Sequence, residues 1–236
     1  MLAKQAHLGT GEGMSNSRFY WERPDKVEEF AARAADRRLL LMLDSFDHPP
    51  SVRVLDLGCA GGRNTAVLAE RGFDVHAIDA SGAMVERTRN RVAAVLGTRE
   101  AERRVRQGRM ADLENFASGS FELVVALGVY HSAATRGEFD KALSESARVL
   151  VPGGQLLVSS FHPDSEPMGE ALRSVKGEEH LYDGFASGSL FLLKSEALDA
   201  EMSCHGLYPV VPTETVVAPT DTGRRVTVNA LYRKAR

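Results

Sequence analysis

One stretch of the chain, residues 54–65, constrains the fold more than any other. It reads Val-Leu-Asp-Leu-Gly-Cys-Ala-Gly-Gly-Arg-Asn-Thr, which is a short apolar run, a turn rich in glycine and the start of a helical pattern. Glycine lets the backbone turn sharply and lets a ligand approach where a Cβ would obstruct it. A helix that begins directly after such a turn presents free N–H groups, which attract anionic ligands. The stretch therefore predicts a strand, a turn and a helix that together form a cofactor site.

Two families of cofactor-binding turn are compatible with glycine at these positions. The dinucleotide fingerprint G-x-G-x-x-G needs glycine where the chain has Ala60 and Arg63. The chain instead has an acid inside the pattern Asp-x-Gly-x-Ala-x-Gly, which begins at Asp56. This pattern resembles motif I of the class I S-adenosylmethionine (SAM)-dependent methyltransferases, in which glycine usually stands at the position of Ala60.

A second acid follows at the end of the next predicted strand. Residues 73–79 are largely apolar and end in Asp79, which lies 23 positions after Asp56. One strand-turn-helix-strand unit places the ends of its two strands side by side at the crevice of a doubly wound sheet. A carboxylate at this point can accept hydrogen bonds from both ribose hydroxyls of an adenosine. We therefore expect Asp79 to bind the ribose of the cofactor.

Three later segments match the same family. Residues 105–110 predict a third strand, and the resemblance implies that Asp112 accepts a hydrogen bond from the adenine amino group. Residues 121–127 are the most strand-like run of the chain and open into a loop expected beneath the methionine part of the cofactor. Residues 148–154 read Arg-Val-Leu-Val-Pro-Gly-Gly and resemble the family's later motif R-x-L-x-P-G-G.

The resemblance implies a fold, a cofactor and a set of cofactor contacts. The fold would be a doubly wound α/β domain with a mostly parallel seven-stranded sheet, an antiparallel C-terminal strand and helices on both faces. The cofactor would be SAM and the product S-adenosylhomocysteine. The residues expected to contact the cofactor are Tyr20, Asp56, Gly58, Ala60, Gly62, Asn64, Asp79, Ala80, Met84, Asp112, Leu113, Leu127 and Gly128.

The start of the chain predicts a tail and a helical cap. Residues 1–17 are rich in Gly, Ser and Thr and predict a mobile tail. Residues 18–48 predict the cap, in which a capping-box pattern at residues 25–28 starts a helix from Pro24 to Phe46. The aromatic cluster at residues 19–21 is compatible with two roles, a hydrophobic anchor for this helix or a flap over the site.

The remainder of residues 18–236 predicts a single domain with one insertion. The irregular residues 162–189 are expected to be an insertion over the substrate side. Ser195 is expected to cap the following helix, and residues 208–217 and 224–233 to form a terminal antiparallel pair joined at Gly223.

The candidate acceptor residues follow from the positions expected near the methyl group. Methyl transfer needs a general base only when the nucleophile must first lose a proton. His131 and His162 are the candidates for that base, and packing or hydrogen bonding is the alternative role for both. The residues expected to bind the substrate are Trp21, Tyr130, His131, His162 and Tyr182. A small molecule is the expected substrate.

Other functions remain open at this stage. An arginine-rich segment, residues 87–109, is compatible with an RNA or protein substrate, although interspersed glutamates favour a solvated helical face. A SAM-binding protein without catalytic activity is a further alternative. The Tyr-x-x-x-Lys pattern of short-chain oxidoreductases is missing. The residues 62–64 and the C-terminal hairpin give a weak likeness to tellurite-resistance methyltransferases.

Charge and cysteine content predict a protein of the cytoplasm. The formal net charge is −3 and the isoelectric point about 6.2, so overall charge does not favour nucleic acid or an acidic membrane as a partner. Cys59 and Cys204 lie far apart, which argues against a disulfide framework. No apolar run approaches the length of a membrane span. The sequence indicates no metal site and leaves the oligomeric state open.

Overall fold

A mostly parallel β-sheet forms the centre of the computed structural model, which describes residues 19–236. The strands are β1 (Arg53–Leu57), β2 (Asp74–Asp79), β3 (Val105–Gln107), β4 (Phe121–Leu127), β5 (Leu150–Phe161), β6 (Arg173–Ser174), β7 (Leu181–Phe185), β8 (Gly188–Phe191), β9 (Leu207–Pro209), β10 (Glu214–Thr220) and β11 (Gly223–Lys234). The helices are α1 (Pro24–Ala32), α2 (Arg37–Leu43), α3 (Arg63–Glu70), α4 (Gly82–Leu96), α5 (Thr98–Arg104), α6 (Arg136–Val149) and α7 (Ser195–Cys204). The tail predicted at residues 1–17 lies outside the described residues.

The strand order confirms the doubly wound fold. The sheet runs β10-β11-β5-β4-β1-β2-β3, and β9 lies beside β11 as an eighth strand. The strand β1 pairs in parallel with β2 and β4, whereas β11 is antiparallel to β5 and β10. The chain reverses its direction of winding between β1 and β4, and in open α/β sheets the ligand crevice lies at such a switch point.

Side chains from alternate positions of the strands build a core on each face of the sheet. Leu55 and Val124 pack with residues of α6 and α7. Val54 and Leu123, one position earlier on the same strands, pack with residues of α2 and α3 on the other face. Successive side chains of a strand point to opposite faces, so a central strand buried on both sides is apolar at nearly every position. Helices on both faces were predicted, and this is confirmed.

The N-terminal cap contains two helices where the sequence predicts one. The helix α1 ends at Ala32, and the side chain of Asp36 accepts a hydrogen bond from Arg38 N and so begins α2. An aspartate in the N-cap position competes with continued helix, and the apolar spacing across it concealed the break. The predicted capping box is also wrong, because Arg23 precedes α1 without a side-chain cap and Pro24 starts it.

Three smaller predictions differ from the structure. The third strand ends at Gln107 instead of residue 110, because the chain enters a turn in which Asp112 N donates to Arg109 O. Ser195 is the first residue of α7, and Lys194 occupies the N-cap position. Residues 162–189 are less irregular than expected, since β6, β7 and β8 form a separate antiparallel sheet. We call this three-stranded unit the insertion sheet.

Candidate cofactor and acceptor site

The glycine turn, residues 58–62, joins the carboxyl end of β1 to α3. Gly58 N and Cys59 N both donate to Ile78 O, at 2.9 and 3.0 Å, so the turn is bound to the neighbouring end of β2. Gly58 and Gly62 have φ angles of 75° and 78°, a region that favours glycine. Ala60 adopts a φ of 47° without being glycine. The turn therefore keeps the left-handed backbone conformation despite the alanine.

Close packing within the protein also requires glycine in this turn. A Cβ added to Gly61 would lie 2.6 Å from Cα of Ala31, and one added to Gly62 would lie 3.0 Å from the Thr88 side chain. Thr88 Oγ1 donates to Ala60 O at 2.7 Å, which binds the turn to α4. The helix α1 thus rests directly on the glycine turn. No local sequence pattern indicates this contact, because it depends on the docking of the cap.

Asp79 lies at the carboxyl end of β2, where the sequence places it. Its Oδ2 accepts from Ala60 N and its Oδ1 from Ser81 N, both at 2.9 Å. Burial raises the pKa of the Asp79 carboxyl above its usual value, and the two backbone donors oppose that shift. The acid of the second strand and the glycine turn of the first are therefore in direct contact. Ala80 follows immediately, and its carbonyl accepts from Gln107 Nε2 at 2.9 Å.

Residues 20–22 cover the start of α4 next to Asp79. Ser81 Oγ donates to Trp21 O at 3.2 Å, and the Glu22 carboxylate accepts from Gly82 N at 2.9 Å and Ala83 N at 3.3 Å. Glu22 thus supplies an acceptor to the free N–H groups of this helix from a distant part of the chain. The ring of Trp21 packs edge-on against Tyr20 on one side and Phe30 on the other. These contacts fit both the anchor and the flap predicted from sequence.

Two polar residues of motif I bind other parts of the protein. The Asp56 carboxylate is 2% exposed and accepts from Thr65 Oγ1 at 2.6 Å. Burial raises the pKa of Asp56 to about 6. Asn64 Oδ1 accepts from Asp36 N at 3.0 Å and so connects α3 to the start of α2. Both side chains hold the turn and cap together, and direct cofactor contact by either remains a prediction. Met84, also expected at the cofactor, is buried in α4.

The loop expected at the adenine is held by an ion pair that sequence reasoning missed. Leu113 N donates to Glu145 Oε2 at 3.0 Å, and Arg148 Nη2 donates to Leu113 O at 2.9 Å. Glu145 and Arg148 also pair with each other. Arg148 opens the R-x-L-x-P-G-G pattern, so its role in this sequence is to fix the loop that carries the exposed Asp112.

The loop after β4 carries one residue that faces the core and one that faces the insertion. Gly128, directly after Leu127, has a φ of 87° and donates through its N–H to Ser159 O at 2.8 Å. Tyr130 is buried, its hydroxyl donates to Ser146 Oγ at 2.8 Å, and burial raises its pKa. His131 is also buried, and burial lowers its pKa to about 4. The hydroxyl of Tyr130 therefore points into the core.

A row of aromatic rings leads from His131 to the insertion sheet. The ring of Phe161 lies 4.9 Å from that of His131 and 4.8 Å from that of Phe185, between ring centroids. The next residue, His162, is buried, its Nδ1 accepts from Asp164 N at 3.0 Å, and burial lowers its pKa. The insertion sheet is thus packed over the carboxyl ends of β4 and β5.

A cavity of about 260 Å³ lies between the insertion and the start of α7. Its walls combine aromatic, aliphatic and charged side chains: Pro163, His180, Tyr182, Leu192, Lys194 and Glu196. Of the predicted acceptor residues, Tyr182 lines this cavity and His162 directly precedes Pro163 of its wall, whereas His131 packs against Phe161. Trp21 lies instead at the start of α4, where its carbonyl accepts from Ser81 Oγ. Within residues 19–236, no cluster of three or more metal-ligating side chains occurs, and no helix there has the length and apolarity to span a membrane.

Residues 54–154 match the model of a family described as a methyltransferase domain. The ubiquinone biosynthesis O-methyltransferase of a Caulobacter species is 32% identical over 115 residues, which are 47% of this chain and 41% of that protein. Demethylmenaquinone methyltransferase of Beutenbergia cavernae is 38% identical over 124 residues, covering 50% and 45%. A probable tRNA methyltransferase 9B of Mus musculus is 32% identical over 116 residues, covering 48% and 22%. The matched segment spans less than half the length of these relatives.

Solved structures extend the likeness to the whole fold. A 1,6-didemethyltoxoflavin-N1-methyltransferase from Burkholderia thailandensis superposes with a TM-score of 0.67 at 20% identity, over 100% of this chain and 94% of that one. A magnesium protoporphyrin IX methyltransferase from Synechocystis gives 0.63 at 15% identity, over 97% and 100%. At such identities the likeness concerns the fold, which is the Rossmann-like fold that the sequence predicts.

Proposed function

We propose, from the premise that residues 54–154 are a class I SAM-dependent methyltransferase domain, that this chain transfers the methyl group of SAM to a heteroatom of a small molecule. The product of the cofactor is S-adenosylhomocysteine. The observation that carries the proposal is the contact between Asp79 and the glycine turn at the ends of adjacent parallel strands. The solved Burkholderia methyltransferase that shares this fold contains S-adenosylhomocysteine.

The cofactor side of the proposed site is built on backbone geometry. The two N–H donors from Ala60 and Ser81 fix the Asp79 carboxylate, and its remaining lone pairs accept the ribose hydroxyls. Gly58 and Gly62 keep the turn free of side chains where the cofactor approaches. Asp112 and Leu113 receive the adenine, Leu127 and Gly128 the methionine part, and Tyr20 closes the site from the cap. When bound, SAM supplies a methyl group already activated by a sulfonium.

The chain's own task is to hold the acceptor in line with that methyl group and to exclude water. Alignment of two reactants can contribute about 7–11 kcal/mol to lowering a barrier. In our proposal the acceptor enters from the cavity lined by Tyr182 and passes beside the rings of Phe161 and His131. A cavity of about 260 Å³ under the insertion sheet suits a small molecule and not a folded macromolecule.

The hydrogen bonds of the two histidines favour an orienting role over a basic one. His131 Nδ1 accepts from Phe161 N at 3.4 Å, and His162 Nδ1 accepts from Asp164 N at 3.0 Å. A neutral imidazole that accepts at Nδ1 carries its proton at Nε2, so each ring offers a donor to an acceptor molecule. Burial holds the pKa of His131 at about 4 and keeps this ring neutral at pH 7. We therefore assign both histidines to orientation of the acceptor.

An RNA substrate is the second candidate, because relatives include a probable tRNA methyltransferase and a ribosomal RNA methyltransferase. The arginines of residues 87–109 are largely engaged within the protein. Arg87 pairs with Glu28, Arg103 with Glu100, Arg104 with Asp74 and Glu100, and Arg109 with Glu138. Arg89 and Arg91 donate to backbone carbonyls. Paired arginines offer less charge to phosphates, which favours the small-molecule substrate.

Calorimetric titration with SAM tests the proposal, with NADH as the competing cofactor. The Asp79→Ala variant should bind SAM more than about 100-fold more weakly, because two hydrogen bonds to a carboxylate contribute about 1.5–3 kcal/mol each. The Asp47→Ala variant changes an exposed acid of the cap and should bind SAM normally. An unmodified protein that binds no SAM would overturn the proposal. Equal affinity in the Asp79→Ala variant would move the cofactor site elsewhere.

Release of S-adenosylhomocysteine then separates an enzyme from a SAM-binding protein without activity. Small aromatic and heteroaromatic acceptors should support release, and transfer RNA should not. A Tyr182→Ala variant should raise KM for the acceptor while leaving the SAM affinity unchanged. Methyl transfer to RNA alone, lost when the arginines of residues 87–109 are neutralised, would favour the RNA substrate.

A further inference from the structure

His180, the residue directly before β7, lines the cavity beside α7 with a backbone conformation that is unfavourable for its side chain. Its φ angle is 66°, in the left-handed region, where a Cβ crowds the following carbonyl oxygen. Among residues 19–236, Ala60 of the glycine turn is the other non-glycine residue with a positive φ. Residues held in such conformations concentrate at ligand sites. Glycine would occupy position 180 at lower cost, which indicates that the imidazole has a function.

Contacts with the insertion sheet hold the ring of His180 in place. Its backbone carbonyl accepts from Leu192 N at 2.8 Å. The ring packs edge-on against Phe191, with 5.7 Å between centroids, and Phe191 in turn stacks on Phe139 of α6. The side chain of His180 is 28% exposed, so part of the ring is packed in the protein and the rest reaches the cavity. A ring held in this way can orient a ligand.

The neighbouring Glu179 determines which nitrogen of the ring is available to a ligand. Its Oε1 lies 3.3 Å from Nε2 of His180. A carboxylate beside one ring nitrogen favours the tautomer that carries its proton there, which leaves the lone pair of the neutral ring at Nδ1. Within the described part of the chain, no hydrogen bond reaches this Nδ1. The Nδ1 atoms of His131 and His162, in contrast, accept from backbone N–H groups.

The other walls of the cavity indicate the rest of the ligand. Tyr182, Leu192 and Pro163 provide aromatic and aliphatic surface. Lys194 and Glu196 carry opposite charges on the wall formed by the start of α7, so their effects on a ligand largely cancel. These walls favour an uncharged molecule with an apolar body over an anion or a cation.

We propose that Nδ1 of His180 accepts a hydrogen bond from the methyl acceptor, an uncharged molecule with an apolar ring and a hydroxyl or amine N–H group. This assignment rests on the proposed function, since it names the class of acceptor that the enzyme takes. The hydrogen bond orients the acceptor in the cavity. Its loss should therefore raise KM for the acceptor more than it lowers kcat.

Release of S-adenosylhomocysteine in the presence of phenols and anilines tests the assignment. His180→Gly removes the ring and suits the φ of 66°, so KM for the acceptor should rise about fivefold while the thermal midpoint does not fall. His180→Asn tolerates the left-handed backbone and keeps an amide oxygen, so its KM should lie between the two. The control is His48→Gly, at an exposed histidine with a φ of −135°, which should leave KM unchanged.

The choice of acceptors gives a second test that does not depend on a variant. Thiophenols and pyridines are nucleophiles that offer a weak hydrogen-bond donor or none, so they should be poorer acceptors than phenols and anilines. Turnover confined to thiophenols or pyridines would overturn the assignment and leave the proposed function intact, as would an unchanged KM in His180→Gly. An unmodified protein that binds no SAM would overturn the proposed function, and the assignment with it. Loss of SAM binding in His180→Gly would also contradict the assignment, because the histidine would then serve the cofactor side.

Discussion

The glycine turn and the insertion sheet lie at the same end of the main sheet but are held by different forces. The turn is fixed by backbone hydrogen bonds to Ile78 and Asp79 and by contacts so close that a single Cβ would not fit. The insertion sheet has a two-residue strand and a short hairpin, and it rests on aromatic rings from distant parts of the chain. Phe191 of this sheet stacks on Phe139 of α6, with 4.5 Å between centroids.

This difference matches the two tasks that we propose for the site. Backbone donors at fixed positions suit a cofactor whose shape never changes. Side-chain packing over a cavity can be rearranged by substitution without loss of the sheet, which suits an acceptor that differs between relatives. Substitutions in the turn should therefore affect the stability of the whole domain, and substitutions in the insertion should act locally.

The largest effect should come from Gly61→Ala. The added Cβ would meet Ala31 backbone atoms at about 2.6 Å, and overpacking against backbone costs about 1–3 kcal/mol. We expect a loss near the upper end of this range, measured by urea unfolding, together with weaker SAM binding because α1 must move. Gly137→Ala, in α6 with open space around it, should leave stability unchanged or slightly higher. Equal stability of both variants would show that α1 does not rest on the turn.

The second prediction uses the pH dependence of the free energy of unfolding. Asp56 in β1, just before the turn, has a folded-state pKa of about 6, above its unfolded value of about 3.8. Its contribution to the free energy of unfolding is therefore present below pH 3.8 and is lost as pH rises through 6. His131 beneath the insertion has a folded-state pKa of about 4, below its unfolded value, so its contribution is present above pH 6.5 and is lost as pH falls. Between about pH 4 and 6, Asp56 makes the free energy of unfolding fall as pH rises, whereas His131 makes it increase.

Substitution of Asp56 or of His131 should therefore leave the pH dependence of the other residue as the larger contribution. In Asp56→Asn, the free energy of unfolding should rise more steeply with pH between 4 and 6.5, because the opposing contribution of the Asp56 carboxyl is removed. In His131→Gln, the slope should shift in the opposite direction. His76, whose pKa burial also lowers to about 4, is unchanged in both variants and cancels in the comparison. Parallel pH profiles for the two variants would contradict this prediction.

The smallest effect on global stability should come from Phe185→Ala in the insertion sheet. The ring is partly buried against Phe161, so we expect a loss of about 1 kcal/mol. Hydrogen exchange should become faster in β7 and β8 and stay unchanged in β1 and β4. Phe121→Ala, a fully buried residue of β4, is the control that should accelerate exchange throughout the domain. Faster exchange throughout in Phe185→Ala would mean that the insertion is part of the cooperative core.

The sequence predicts the neighbouring positions of Asp79 and the glycine turn because the information for them is local. Adjacent parallel strands bring Asp79 to the turn in any fold of this connectivity, and the structure has that contact. The break before Asp36 was missed, since apolar spacing continues across it while one capping side chain decides the outcome. The pairing of β7 with β8 was also missed, because Phe161 and Phe139 stabilise the insertion from far along the chain. Patterns in neighbouring residues do not predict contacts between residues that are far apart in the sequence.

The burial of Cys59 has a practical consequence for spectroscopy. Its thiol lies inside the glycine turn, and burial raises its pKa, whereas Cys204 at the end of α7 is exposed. A maleimide dye reacts with the thiolate of an accessible cysteine, so the unmodified chain should take up a single dye at a known position. That dye would sit at the far end of α7, whose first turn lines the cavity that we propose for the acceptor. Entry of ligands can thus be followed by fluorescence without engineering a new attachment point.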